Sequence, residues 1–406
     1  MIKEKYNYNL YLLLSFVLVY MGSNTLFTQV VLSTQYSSYL VFLLSIGLYV
    51  YNSRNKNHFQ SHAVLIVSLS TISILLSIII NWDFGNFNGY VIILMKLLGA
   101  FLLLRVLDVR KLIRASGDVI CFLSVSSLII SYIFPLFSFE KMFPVITNSM
   151  GVRFYNCILG FKIDSYGMYE IRNYGVFSEP AVFCYYLFLG ALFVFSQENF
   201  TRTTCYKICI LAFTMFTTFS PIGFLTSVFV CVFLIYKLIK NNSSIPLKLI
   251  PVFSLFVFLI IVAFSSDMRS GVDFTMSKAT LEQGNGAERF RSFVSCMEQW
   301  TNRPFFGGGL KAVISVSSVI GSNTSTTGSF FVCFGVFFSV FVTYVQFISI
   351  SRVLGRENLL IKILFYLLFI LQINNHGLIQ GDWLWLFTMI GVVYFRRESS
   401  NCCLQS

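Results

Sequence analysis

Apolar runs long enough to cross a bilayer recur from near the start of this chain to near its end, and nothing else limits its folds so severely. Backbone N–H and C=O groups in lipid have no water to pair with, so such runs must be helices that satisfy their own hydrogen bonds. Composition agrees. The 406 residues are 56% hydrophobic and 11% charged, with 46 Phe, whereas a soluble domain carries about a quarter charged residues. The expected fold class is an all-α polytopic membrane protein, one integral membrane domain over 1–406. The opening Met-Ile-Lys-Glu-Lys run and the apolar stretch after it are laid out like a signal peptide. No small-residue cleavage site follows Tyr20, so a retained first helix is expected.

At roughly 17–25 residues per span, about twelve candidates emerge: 9–31, 36–51, 63–81, 89–107, 117–138, 179–197, 207–219, 221–238, 247–265, 329–350, 358–373 and 383–395. Only Ser220-Pro221 separates the seventh from the eighth. Reading them as one helix would put Lys237, Lys240 and Lys248 outside. With both termini in the cytoplasm, the inner segments hold Lys3, Lys5, Arg54, Lys56, Arg105, Arg110, Lys111, Arg114, Arg202, Lys207, Arg352, Arg356, Lys362, Arg396 and Arg397 besides those three lysines. The short outer turns near 32–35, 82–88, 219–221 and 374–382 hold no Lys or Arg. That asymmetry is the positive-inside rule. The net charge of +12 is therefore a topology signal, and no nucleic-acid partner is expected.

Two long outer loops remain, 139–178 and 266–328. Their aromatic content, including Phe154, Tyr155, Phe161, Phe290, Phe293 and Trp300, argues for packed caps rather than open coil. In the second loop Asn285-Gly-Ala-Glu288 approximates a capping box. Phe290, Phe293, Val294, Met297 and Trp300 then form one apolar stripe, opposite Arg289, Arg291, Ser292, Ser295 and Glu298. An amphipathic helix of about 22 Å is expected there, able to lie along a membrane surface.

Arg153, Arg172, Arg269, Arg289, Arg291 and Arg303 stand on the side where positive residues are scarce. Guanidinium suits planar, bidentate recognition of phosphate, so Arg172, Arg289, Arg291, Arg153 and Arg303 are candidate substrate-binding residues. Pairing with Asp164, Glu170, Glu282 and Glu288 as plain surface salt bridges is the competing account. Glu179 precedes Pro180 at a helix start, where an acid complements the helix dipole. It is equally placed to accept a proton near the bilayer surface. His376, in the last outer turn, is the second candidate catalytic base, or a plain turn residue. Of the ten Cys, only Cys157 and Cys296 face outward, as two free thiols or one disulfide. No metal-ligand spacing, phosphate loop, dinucleotide fingerprint or Asp-x-Asp occurs, so no cofactor or metal is expected.

Three stretches resemble the bacterial O-antigen polymerases, a family related to the O-antigen ligases. They are the segment Arg172 to Pro180 (RNYGVFSEP), the segment Thr217 to Leu225 (TTFSPIGFL), and RFRSFVSCMEQWTNRPFFGGGL from Arg289 to Leu310. The resemblance covers essentially the whole chain. It implies a metal-independent inverting glycosyltransferase of the bacterial inner membrane whose active site faces the periplasm. Such an enzyme extends a glycan carried on undecaprenyl pyrophosphate, with a chain-length regulator as a partner. Pyrophosphate-binding arginines would then correspond to Arg172 and to Arg289 or Arg291. The ligases often carry a His-Asn pair where this chain reads Gly321-Ser-Asn-Thr-Ser-Thr-Thr-Gly328 without His, a departure that disfavours ligase. A lipid-linked oligosaccharide flippase or another transporter is the non-enzyme alternative, although Lys96 is the only plainly embedded Lys or Arg and the two halves do not match.

Overall fold

The computed structural model describes residues 8–22, 25–52, 61–147, 151–164, 170–197, 201–240, 266–279, 285–320, 323–374, 378 and 381–393. Fourteen α-helices account for most of them. These are α1 (Tyr8–Tyr20), α2 (Thr34–Asn52), α3 (Ser61–Asn81), α4 (Phe87–Val106), α5 (Val109–Leu128), α6 (Pro180–Phe195) and α7 (Arg202–Thr217). The rest are α8 (Pro221–Lys240), α9 (Ser266–Ala279), α10 (Asn285–Thr301), α11 (Gly309–Ile320), α12 (Thr326–Val353), α13 (Leu359–Ile373) and α14 (Asp382–Val393). Five helical segments among the described residues are long and apolar enough to cross a membrane: 63–81, 84–106, 109–137, 221–240 and 326–353. The chain is an all-α membrane protein in outline. The candidate span 247–265 lies outside the described residues.

Three expectations need correction. The segment 9–31 is not one helix: α1 stops at Tyr20, and a π-helical turn covers Phe27–Val31. Between them lies Gly22-Ser-Asn-Thr25, residues that favour turns and caps over helix interiors. Thr25 pairs as an isolated bridge with Phe177, and its Oγ1 accepts the Thr28 amide at 3.2 Å. The first outer loop, in turn, contains a three-stranded antiparallel sheet in the order β1 (Val145–Thr147), β2 (Arg153–Asn156), β3 (Phe161–Ile163). Ile146 pairs with Phe154, and Phe154 with Ile163. The second loop holds three helices, α9 to α11, where one was expected; the one expected, from Asn285, is α10.

The chain forms two compact units. The first comprises Met1–Phe16, Asn24–Leu32 and Ile113–Ala287. Its centre is α6, in which all sixteen residues are buried. A helix apolar on every side must be enclosed by others. Gly190 lets α5 approach closely, since a Cβ there would fall 2.7 Å from Ile120. Ser227 Oγ donates to the Ala212 carbonyl across the α7–α8 hairpin at 2.8 Å. At one end Asp118 takes the Lys207 ammonium at 2.5 Å and the Tyr8 hydroxyl at 2.7 Å.

The second unit comprises Val17–Ser23, Ser33–Leu112 and Glu288–Ser406. Here α4 packs on α2 and α14, and α12 on α11, α13 and α14. The α12 helix is interrupted at Gly335, whose φ of 78° and ψ of −176° are not helical. The segment after α10 docks into this interruption. The Val336 amide donates to the Pro304 carbonyl at 2.9 Å, and the Gly308 amide to the Val332 carbonyl at 2.7 Å. A Cβ on Gly335 would fall 2.1 Å from the Phe305 carbonyl oxygen, so only glycine fits. The run Gly307-Gly-Gly309 is thus a packing device: Gly307 lies against Cys333, and Gly309 against Asp83 and Tyr90.

Candidate functional site

In the first unit, two of the three motif segments interlock. Asn173, fully buried, uses its whole amide to join them. Its Nδ2 donates to Ser127 Oγ at 3.0 Å and Thr217 Oγ1 at 3.2 Å, while its Oδ1 accepts the Gly175 amide at 3.0 Å and Ser131 Oγ at 3.3 Å. Its backbone amide donates to the Thr217 carbonyl at 3.0 Å. Tyr132 adds a phenol hydrogen bond to the Ile171 carbonyl at 3.0 Å. Arg172 Nε then donates to the Thr218 carbonyl at 3.1 Å, fixing the root of the guanidinium.

The next residue, Phe219, has φ of +44°, a left-handed conformation that a bulky residue rarely adopts. Its ring is 2% exposed and packs against Phe216, Ile171 and Val272. Backbone held in a sparsely populated region tends to mark functional sites. Ser220 Oγ accepts the Gly223 amide at 3.1 Å and starts α8, with Pro221 following.

From Arg172 to Phe195 every residue is buried except Arg172 and Glu179, each half-buried. Glu179 occupies the N-cap of α6 in extended conformation, and its side chain makes no capping hydrogen bond. Its carbonyl accepts the Phe183 amide at 3.2 Å. No capping hydrogen bond thus orients the carboxylate, although its place at the helix start still suits the dipole. Arg153, on β2, pairs with Asp164 at 3.1 Å, its side chain 63% exposed. A pair so exposed is worth about 0–1 kcal/mol. Asp164 also accepts the Tyr155 phenol at 2.8 Å, which raises the phenol above its ordinary range.

The remaining candidates belong to the second unit. Arg289 is half-buried and Arg291 exposed on α10. That helix does not bury the face its sequence periodicity favours. Ser292 and Cys296 are fully buried, while Phe290 is 64% exposed. The reason is a polar hub at Asn323, which accepts Ser292 Oγ at 3.0 Å and donates to Ser329 Oγ at 3.1 Å and Cys296 Sγ at 3.4 Å. Met297 and Trp300 do pack inward, against Cys296, Ala312, Val316 and Val332. Arg303 Nη1 donates to Asn81 Oδ1 at 2.5 Å, a tie to the end of α3. Cys157 and Cys296 are both free thiols. His376 lies outside the described residues; its neighbour Asn374 accepts Ser325 Oγ at 3.1 Å and the Thr327 amide at 2.8 Å. Among the described residues, no group of three or more His, Cys, Asp and Glu is placed to hold a metal ion.

One feature of the second unit escaped the sequence reading. Lys96, at the middle of α4, pairs with Asp382 at 3.2 Å, their side chains 1% and 7% exposed. Asp382 was expected in the last outer turn; it is the first residue of α14 and is buried beside a small cavity lined by Ser38, Gly99 and Trp383. Compared with known protein families, with curated proteins and with solved structures, the chain matches none.

Proposed function

We propose that the protein polymerises lipid-linked oligosaccharide repeat units at the periplasmic face of the bacterial inner membrane by inverting glycosyl transfer. The observation that carries the reading is the pair Arg172 and Glu179, the two residues of the stretch 172–195 that are not fully buried, on a segment hydrogen-bonded to Thr217 and Thr218. An anchored cation and a half-buried carboxylate are the two charges such a transfer needs. The donor sugar's bond from C1 to the undecaprenyl pyrophosphate oxygen breaks while a bond from C1 to an acceptor hydroxyl forms on the opposite face. The hydroxyl proton passes to Glu179, and the charge developing on the departing pyrophosphate falls to Arg172. Arg289 and Arg291 on α10 are the corresponding cations of the second unit, and His376 an alternative base. Because the leaving group is already good, positioning can supply roughly 7–11 kcal/mol of the barrier reduction.

Deleting the gene tests the activity. Loss of the lipopolysaccharide ladder with a single repeat unit left on the core supports a polymerase. An unchanged ladder excludes O-antigen as the product and moves the test to another surface glycan; finding no surface polysaccharide shortened by the deletion refutes the reading. In the complemented strain Arg172→Ala and Glu179→Gln should each abolish long chains at normal protein level. The buried Lys96–Asp382 pair favours one second reading, a flippase or transporter, since such proteins place ionisable groups inside the membrane. That reading expects bare core after deletion, as the ligase reading also does. It further expects loss of function in Lys96 variants but not in Glu179→Gln.

A further inference from the structure

We propose that the segment following α5 is a wedge seated among the acyl chains and headgroups of one membrane leaflet, anchoring the three-stranded sheet to the bilayer surface. The segment runs from Phe134 to Met142 as two 3-10 turns joined at Ser138, whose left-handed φ of 54° reverses the chain. Leu136 is 77% exposed, Phe137 64% and Met142 80%. Contiguous apolar surface of this kind does not normally face water.

The occupant follows from what the patch continues. Phe122, Ile129 and Ile133 are also exposed, at 52%, 38% and 47%. On α5 and the π-helical turn Ile129–Ile133 that extends it, they mark one exposed apolar side that leads directly into Leu136 and Phe137. In a membrane helix that side faces lipid, so the wedge extends a lipid-facing stripe. Depth agrees. The polar end of α5 is marked by Asp118 and its Lys207 partner. A hydrocarbon core of about 30 Å takes about twenty residues at 1.5 Å each, which puts the opposite boundary near residue 138. Charge agrees as well: of the two charged residues in the segment, Glu140 is buried and Lys141 is exposed, where its ammonium can reach headgroups.

The wedge is braced from behind. Phe134 stacks on Phe143 with centroids 6.0 Å apart and meets Phe139 edge-on at 6.0 Å, while Phe137 stacks on Phe139 at 5.4 Å. The sheet follows at once, the Asn156 amide donating to the Pro144 carbonyl at 2.9 Å. Anchoring the wedge therefore fixes the height of the sheet above the bilayer. None of this depends on glycosyl transfer.

The test places a benzophenone amino acid at Leu136 or at Met142 of the full-length protein in native membranes, with Phe122 as the lipid-facing control. Irradiation should yield lipid adducts at all three positions, identified by mass spectrometry of the labelled peptide. A polypeptide crosslink at 136 or 142, whether to a second copy or to another protein, overturns the proposal. So does a lack of lipid adduct at both positions while Phe122 gives one.

Discussion

Replacing Lys96 by Met would take the cation from a carboxylate that is itself only 7% exposed. At 3.2 Å the two charges attract by about 5 kcal/mol for an effective dielectric of about 20. Stripping them of water costs several kcal/mol per ion, so the intact pair contributes little net stability. A single deletion is different, because it leaves an uncompensated buried charge at a cost of about 3–5 kcal/mol. Lys96→Met should therefore destabilise the protein by that amount, and so should Asp382→Leu, with about 0.3–1 kcal/mol more for losing an acid in the first turn of α14. The double variant, apolar on both sides, should return to within about 1 kcal/mol of the native protein or exceed it. Thermal unfolding of the four proteins in one detergent measures the cycle. Additive losses, with the double variant worse than either single one, would refute the view that burial and pairing set the cost.

Four further outcomes follow. Arg172→Lys keeps the charge but forfeits the planar fork and the Nε bond to Thr218, so it should recover only part of the chain-length activity that Arg172→Ala loses, as read on the same gel. Asn173→Ala strands the Gly175 amide and the Ser131 hydroxyl, at about 1–3 kcal/mol each, while the Ser127 and Thr217 hydroxyls keep their bonds to the Ser124 and Thr214 carbonyls, and it should lower the unfolding temperature. Gly335→Ala forces a Cβ into the Phe305 carbonyl; limited proteolysis should show the segment 302–309 cleaved far faster than in the native protein. Burial pushes the Cys157 and Cys296 thiols up to about 11, with Glu140 adding to the first and Asn323 opposing in the second. At pH 8 only about one thiol in a thousand is then ionised, so both should resist iodoacetamide until the protein is denatured; fast labelling of the folded protein would contradict their burial.

The helices were legible because apolar runs and helix-stopping residues are local signals. The break at Thr218–Ser220 could be read from Ser220-Pro221, and α10 from the helical spacing of its apolar residues. The break in the first span was just as local, but a hydropathy window averages over Gly22–Thr25. The small sheet was not legible. Its strands are three or four residues long, and Phe161 takes its backbone partner from Gly175, fourteen positions away. The buried face of α10 was misjudged because periodicity scores Ser292 as polar, whereas Asn323 makes its burial inexpensive. In the candidate site Arg172 and Glu179 could be named from their residue types. Asn173, which holds the segment in place, looks like any turn residue until Ser127 and Thr217 are brought beside it. Lys96 was visible as an embedded charge, but its partner is 286 positions away.

The α13 helix has a consequence for the surrounding bilayer. It runs for fifteen residues between Asn358 and Asn374, about 22 Å against a hydrocarbon thickness of about 30 Å. Leu359, Leu360, Leu367 and Leu371 are exposed along it. With α13 as a span, bordering lipids would compress or splay to meet a short apolar wall, and such mismatch costs a fraction of a kcal/mol for each ångström. A protein that crosses the bilayer with α13 would thin the membrane along that helix and favour thin bilayers. The same mismatch would make that flank a low-cost contact for any neighbouring membrane protein whose own apolar band is equally short.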